Sequence, residues 1–146
     1  MTSHTAALLD AIARGCAGDL INERLQAVEL DATDLEQALG LDRCSRIRAR
    51  NTALTEAAAV LSAGSPSPWQ TACRLADAVA RFESRIWPRC KRNPDDLGPL
   101  DLALRTAFLT GEKVPTSPKR LVPFVDTNAV QRPKDSSTMS HLTFLE

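Results

Sequence analysis

Seven arginines in two clusters carry the clearest chemistry in this chain. Arg43, Arg46, Arg48 and Arg50 fall within eight residues, and Arg81, Arg85 and Arg89 recur at every fourth position. A guanidinium presents a planar fork of donors that matches phosphate oxygens. A row of them can neutralise successive phosphates and release condensed counterions. The chemistry they point to is recognition of a polyanion, nucleic acid above all, with no bond made or broken. Read as helix, Arg43, Arg46 and Arg50 share a face, while Arg74 and, further on, Lys91 and Arg92 extend the second row. The plainer alternative is that each row is a solvated face, or pairs with acids of the chain such as Asp77 and Glu83.

The charges are sorted along the chain although they cancel overall. Residues 1–42 hold eight acids and two arginines, a balance of −6; residues 43–92 hold ten basic residues and three acids, +7; residues 93–146 sit at −1. Surfaces without a charged partner tend to intersperse both signs. The basic middle therefore faces either a polyanion or the acidic N-terminal segment of the same chain. Arginine supplies fourteen of the eighteen basic residues, the type suited to phosphate and carboxylate recognition.

Other chemistries find little support. The four cysteines stand 28, 29 and 17 residues apart, which matches no zinc-binding spacing. The two histidines, His4 and His141, lie near opposite ends, so neither a metal site nor an acid/base pair is expected, and no glycine-rich phosphate loop occurs. Asp95 and Asp96 sit in a proline-flanked stretch and read as turn or cap chemistry. The chain reads as non-enzymatic and without a cofactor. No apolar run approaches the ~20 residues that span a bilayer, and Asp10 interrupts the first apolar stretch. The expectation is a cytoplasmic protein with reduced cysteines and no membrane contact.

The elements that position these residues are helical. Alanine, leucine, arginine and glutamate dominate, tyrosine is absent, and there are six aromatic residues in all. The length suits one domain with a real core. Capping chemistry divides it: Gly15 and Gly40 stop helices, Asp31 or Thr33 starts a short one, Asp42 caps a long one, and Ser67-Pro68 and Pro99 open later ones. Gly111 closes the helix that Pro99 opens, and Ser117-Pro118 starts a short element limited by Pro123. In the first helix Leu8, Leu9 and Ile12 form the apolar side; in the one from Pro99, Leu100, Leu104 and Phe108 do so. The long helix repeats Ile47, Asn51, Leu54, Ala58 and Leu61, and the next repeats Ala72, Leu75, Val79, Phe82 and Ile86 before Pro88 ends it. Two seams of one period joined by residues 64–68 predict an antiparallel helical hairpin. Asn51 within its seam either fixes register or makes a helix-end hydrogen bond, or else it faces a ligand; the internal roles are favoured because buried polar groups usually find an internal partner. Trp69 and Trp87 bracket the second helix, where each either seals the core or stacks on a base.

The expected architecture is an all-α domain over residues 1–125: an acidic lobe (1–42), a central basic hairpin (43–92) and C-terminal helices (93–125). A flexible polar tail follows over 126–146, with apolar Leu142, Phe144 and Leu145 in it.

Residues 32–51 resemble a helix-turn-helix. Leu35, Leu39, Gly40 and Leu41 occupy its apolar and glycine positions, and an arginine-rich helix follows. Glu36 stands where that motif has a small residue, and Arg46 where it has an apolar one, with Ile47 one place later. The resemblance implies that the helix from Arg43 enters a DNA groove and contacts bases and phosphates. The function expected is nucleic-acid binding of a bacterial type, as a transcriptional regulator or mobile-element accessory factor. Arg43, Arg46, Arg48 and Arg50 would be the main contacts, and Arg81, Arg85 and Arg89 would contact the backbone. The alternative is a helical adaptor or inhibitor that binds another protein through its acidic lobe or its tail.

Overall fold

A computed structural model describes residues 4–27, 35–64, 67–91 and 94–126. The tail over 127–146 and the cap expected at Asp31 or Thr33 lie outside the described residues. The chain forms α1 (His4–Arg14), α2 (Gly18–Ala27), α3 (Leu35–Leu39), α4 (Arg43–Ser62) and α5 (Pro68–Arg81). A π turn (Phe82–Ile86), α6 (Trp87–Cys90), α7 (Pro99–Leu109) and α8 (Pro118–Asp126) complete it. There is no strand among the described residues, and no helix among them is long and apolar enough to cross a membrane. The fold is a small all-α domain.

Local chemistry sets most helix ends. Gly15 (φ 76°), Gly40 (φ 69°) and Gly111 (φ 71°) take the left-handed conformation just past α1, α3 and α7, which glycine enters without a Cβ penalty. The Ser67 hydroxyl accepts from the Gln70 N–H at 3.2 Å, with Pro68 in the first turn of α5. Asp42 caps α4, accepting from the Ser45 N–H at 3.0 Å and the Ser45 hydroxyl at 2.5 Å. The hydroxyl bond first, then the backbone bond, holds the Asp42 carboxyl below the usual carboxylate range. A group whose folded pKa is depressed contributes stability above its unfolded value and loses it as the pH falls through the folded one. The start of α4 is thus expected to lose support below about pH 4. Asp42→Asn keeps a cap acceptor that does not titrate. Circular dichroism across that acid limb should therefore show a shallower loss of helicity for Asp42→Asn than for the parent chain.

The core is built around α4. It packs most extensively on α7 and also meets α1, α5 and α8, while α5 lies mainly on α8. The expected seams do meet: Leu54, Ala58, Leu75, Val79 and Phe82 are buried in one cluster, with Leu61 and Ile86 at its edge. The α4–α5 contact is nevertheless less extensive than the α4–α7 one. A second file, Ala49, Ala53 and Ala57, is also buried, and small side chains let a backbone approach closely. On α7, Ala103 and Ala107 are buried beside Leu104. In α1 the buried side is Ala6, Leu8 and Ala11, with Leu9 half-buried and Ile12 exposed.

Two prolines expected to end helices do not. Pro88 lacks the N–H that would reach the Ser84 carbonyl, and its ring would crowd that carbonyl in a regular helix. The chain widens into a π turn immediately before it, with the Trp87 N–H donating to the Phe82 carbonyl, and helix resumes to Cys90. The wider turn has a packing consequence. Residues five apart on an α-helix lie about 140° apart, yet Phe82 and Trp87 here share one side, their ring centroids 6.3 Å apart. Phe108 of α7 closes the triad at 5.4 Å from each. Trp87 thus helps seal the core, whereas Trp69 is 55% exposed. Pro123 likewise stands inside α8, where Leu121 and Val125 on either side of it are buried.

A buried cation joins three helices. The Arg105 side chain on α7 is 4% exposed. Its Nε donates to the Cys90 carbonyl at 2.9 Å and one terminal nitrogen to the Lys91 carbonyl at 2.8 Å, capping the open end of α6. The other terminal nitrogen donates to Asp10 of α1, which also binds Arg14 at 2.6 Å. All four cysteines are free; Cys16 and Cys44 are exposed and Cys90 is buried. Burial pushes the Cys90 thiol up, which keeps it protonated and unreactive.

Candidate nucleic-acid interface

The arginines of the first cluster all lie in the first half of α4, the part of that helix least enclosed by its neighbours. Asp42 starts the helix, so Arg43 and Arg46 project from its first turns. Arg43, Arg46 and Arg50 face the connection between α7 and α8. Glu112 in that connection lies 3.4 Å from Arg46 and 4.0 Å from Arg43. Arg50 donates to the Lys113 carbonyl at 2.8 Å and to Oδ1 of its neighbour Asn51 at 3.1 and 2.8 Å. Asn51 therefore acts as a local acceptor that holds the Arg50 guanidinium in place. Gly111 and the buried Thr110 set the shape of this connection: the Thr110 hydroxyl donates to the Ala107 carbonyl at 2.7 Å and accepts from the Glu112 N–H at 3.3 Å.

Arg48 is separated from the other three. Its Nε donates to the Cys44 carbonyl at 3.3 Å. With Thr5, Ser45, Ala49 and Thr52 it lines a shallow hollow of about 230 Å³ beside the start of α1.

The second row runs from α5 through the π turn to α6. Arg81 pairs with Asp101 of α7 at 3.7 Å, and the side chain of Arg81 is 53% exposed. Arg74, Arg85 and Arg89 are exposed and form no ion pair among the described residues. The π turn inserts about one residue into the helical count, which rotates Arg89 back towards the side of Arg81. Beyond it Lys91 Nζ stands 5.8 Å from the Trp87 ring centroid, a cation–π contact at the rim of the core.

A hollow of about 270 Å³ is lined by Glu83 of the π turn and by Glu112 and Lys113 of the α7–α8 connection, and none of the candidate arginines lines it. The internal pairing anticipated with the acidic N-terminal lobe takes a different form, since Glu112 and Asp101 belong to the segment after residue 92. The Arg43 and Arg81 pairs, exposed on the arginine side, are worth about 0–1 kcal/mol each, and Arg43, with 78% of its side chain exposed, stays open to an outside anion. Sequence reasoning missed Arg105, whose one signal was a lone charge within the apolar run 102–109. It also missed Glu112 and Asp101 as the acids that face the basic rows.

Compared with known protein families, curated proteins and solved structures, the chain has no match.

Proposed function

We propose that this protein is a non-enzymatic nucleic-acid-binding protein that contacts the phosphate backbone through the exposed arginines of α4 and of the α5–α6 row. The observation that supports it is the set of cations left without a strong internal partner: Arg43 at 4.0 Å from its acid, and Arg48, Arg85 and Arg89 with no ion pair among the described residues. Arg46, Arg50 and Arg81 are partly engaged inside the fold and take a supporting role. The start of α4, preceded by α3 and the left-handed Gly40, is the part offered to a groove in a helix-turn-helix arrangement.

Fluorescence anisotropy with a labelled duplex tests the proposal. If four arginines each neutralise one phosphate, log K should fall with log salt with a slope of about −3.6. Raising salt from about 50 to about 200 mM then lowers affinity by about 10²-fold. Arg85→Ala should reduce the slope by about 1 across unrelated sequences, as expected for a phosphate contact. Absence of binding at low salt, or binding insensitive to salt, would overturn the proposal and favour a protein partner.

A further inference from the structure

The carboxylate of Glu112 bridges two arginines of α4. Its Oε1 lies 3.4 Å from Arg46 Nε and its Oε2 lies 4.0 Å from Arg43 Nε. A carboxylate and a phosphate offer a guanidinium fork the same kind of paired anionic oxygens, so Glu112 stands where a bound phosphate would. Its backbone brings it there. The Glu112 N–H donates to the Thr110 hydroxyl at 3.3 Å, and the carbonyl of the next residue, Lys113, accepts from Arg50 at 2.8 Å. The Glu112 side chain is 17% exposed, whereas most of Arg43 is open to solvent.

Neither contact is a hydrogen bond. Arg46 Nε is a buried atom with no hydrogen-bond partner among the described residues, and the separation from Arg43 exceeds hydrogen-bond length. Charge alone holds the pair, and an anion that hydrogen-bonds the guanidinium groups can replace it. We propose that Glu112 is an internal competitor for phosphate at the Arg43–Arg46 pair, displaced by a polyanion and not by a single phosphate. A free phosphate must displace the carboxylate one for one. A nucleic acid already held at Arg48, Arg85 and Arg89 presents its next phosphate to the pair at high effective concentration. Glu112 thus determines specificity for the polymer over the monomeric anion. The polymer half of this assignment rests on the nucleic-acid proposal; the competition at the arginine pair does not.

Glu112→Gln in the full chain tests it, since it keeps the shape and removes the charge. With the labelled duplex at low salt it should bind about fivefold tighter, the upper range for one exposed ion pair. Its salt slope should steepen by about 0.9, the equivalent of one more phosphate. Glu83→Gln is the control. Glu83 lines the same hollow as Glu112, is exposed, and forms no ion pair among the described residues. It changes the surface charge equally and should tighten binding about twofold or less. With Arg43 and Arg46 both changed to alanine, the gain from Glu112→Gln should fall to that of the control. Inorganic phosphate is the second probe, followed by NMR at the arginine Nε–H signals. The Arg46 signal should respond at severalfold lower phosphate in Glu112→Gln than in the parent. A gain no larger than that of Glu83→Gln, or one that survives loss of both arginines, would overturn the competition. An Arg46 response to phosphate that ignores Glu112 would overturn it as well. If neither protein binds duplex while the phosphate response depends on Glu112, the competition stands and the nucleic-acid reading falls.

Discussion

Arg105→Ala is expected to destabilise the protein by about 3–5 kcal/mol, the range for breaking a buried, hydrogen-bonded charge pair. The side chain is 4% exposed and has three partners: the Cys90 and Lys91 carbonyls and the Asp10 carboxylate. Truncation leaves all three groups short of a donor in a site from which water is largely excluded, and each orphaned polar group costs about 1–3 kcal/mol. Asp10 is the least affected, because Arg14 still binds it at 2.6 Å. Most of the loss should therefore come from the end of α6, whose last carbonyls lose their cap. Arg105→Lys should recover only part of it, because an ammonium lacks the fork that serves two carbonyls and a carboxylate together. Urea unfolding followed at 222 nm gives the comparison, and an Arg105→Met, Asp10→Asn cycle apportions the ionic part. A loss below about 1 kcal/mol for Arg105→Ala would place it with ordinary surface changes and remove α7 as the clamp between α1 and α6.

That clamp marks the boundary of what could be read from the residues alone. Capping signals are local, involving one side chain and a backbone group a few positions on, so Asp42, Ser67-Pro68, Gly15, Gly40 and Gly111 announced helix ends that the structure shares. Proline is a less certain stop, because its missing N–H can be absorbed by a wider turn or by a short helix held on both sides. Pro88 and Pro123 show the two cases. The α4–α5 seam was legible because leucine, valine and phenylalanine repeat in it. The larger α4–α7 contact was not, since its faces are lined with alanine, which appears on every side of α4 and produces no clear apolar period. The same limit applies to the candidate interface. The sorting of charge is visible along the chain, but which acid meets which arginine depends on how the α7–α8 connection returns to α4, and nothing near Arg46 in sequence names Glu112.

Phe82→Ala should be the other severe substitution, at about 3–5 kcal/mol, while Arg85→Ala, three residues on, should cost about 0.5 kcal/mol or less. Phe82 is fully buried and belongs to the cluster that α4, α5, α7 and α8 share. Its ring lies 5.4 Å from Phe108 and 6.3 Å from Trp87. Truncation removes the apolar burial, leaves a cavity, and takes two aromatic contacts worth about 0.5–1.5 kcal/mol each with it. The π turn adds a specific consequence: without Phe82, Trp87 loses one of the two rings that hold it at the core's edge, so its fluorescence should shift to the red in the native state. Arg85 is exposed and has no ion pair among the described residues, so its removal takes nothing from the core. Urea titrations of the two variants, with the anisotropy experiment run on both, separate the roles. The proposal expects Phe82→Ala to lose stability, and binding only in step with unfolding. Arg85→Ala should keep its midpoint and lose salt-dependent affinity. Equal losses of stability would mean that the arginine row holds the fold together, and its assignment to a phosphate backbone would fall.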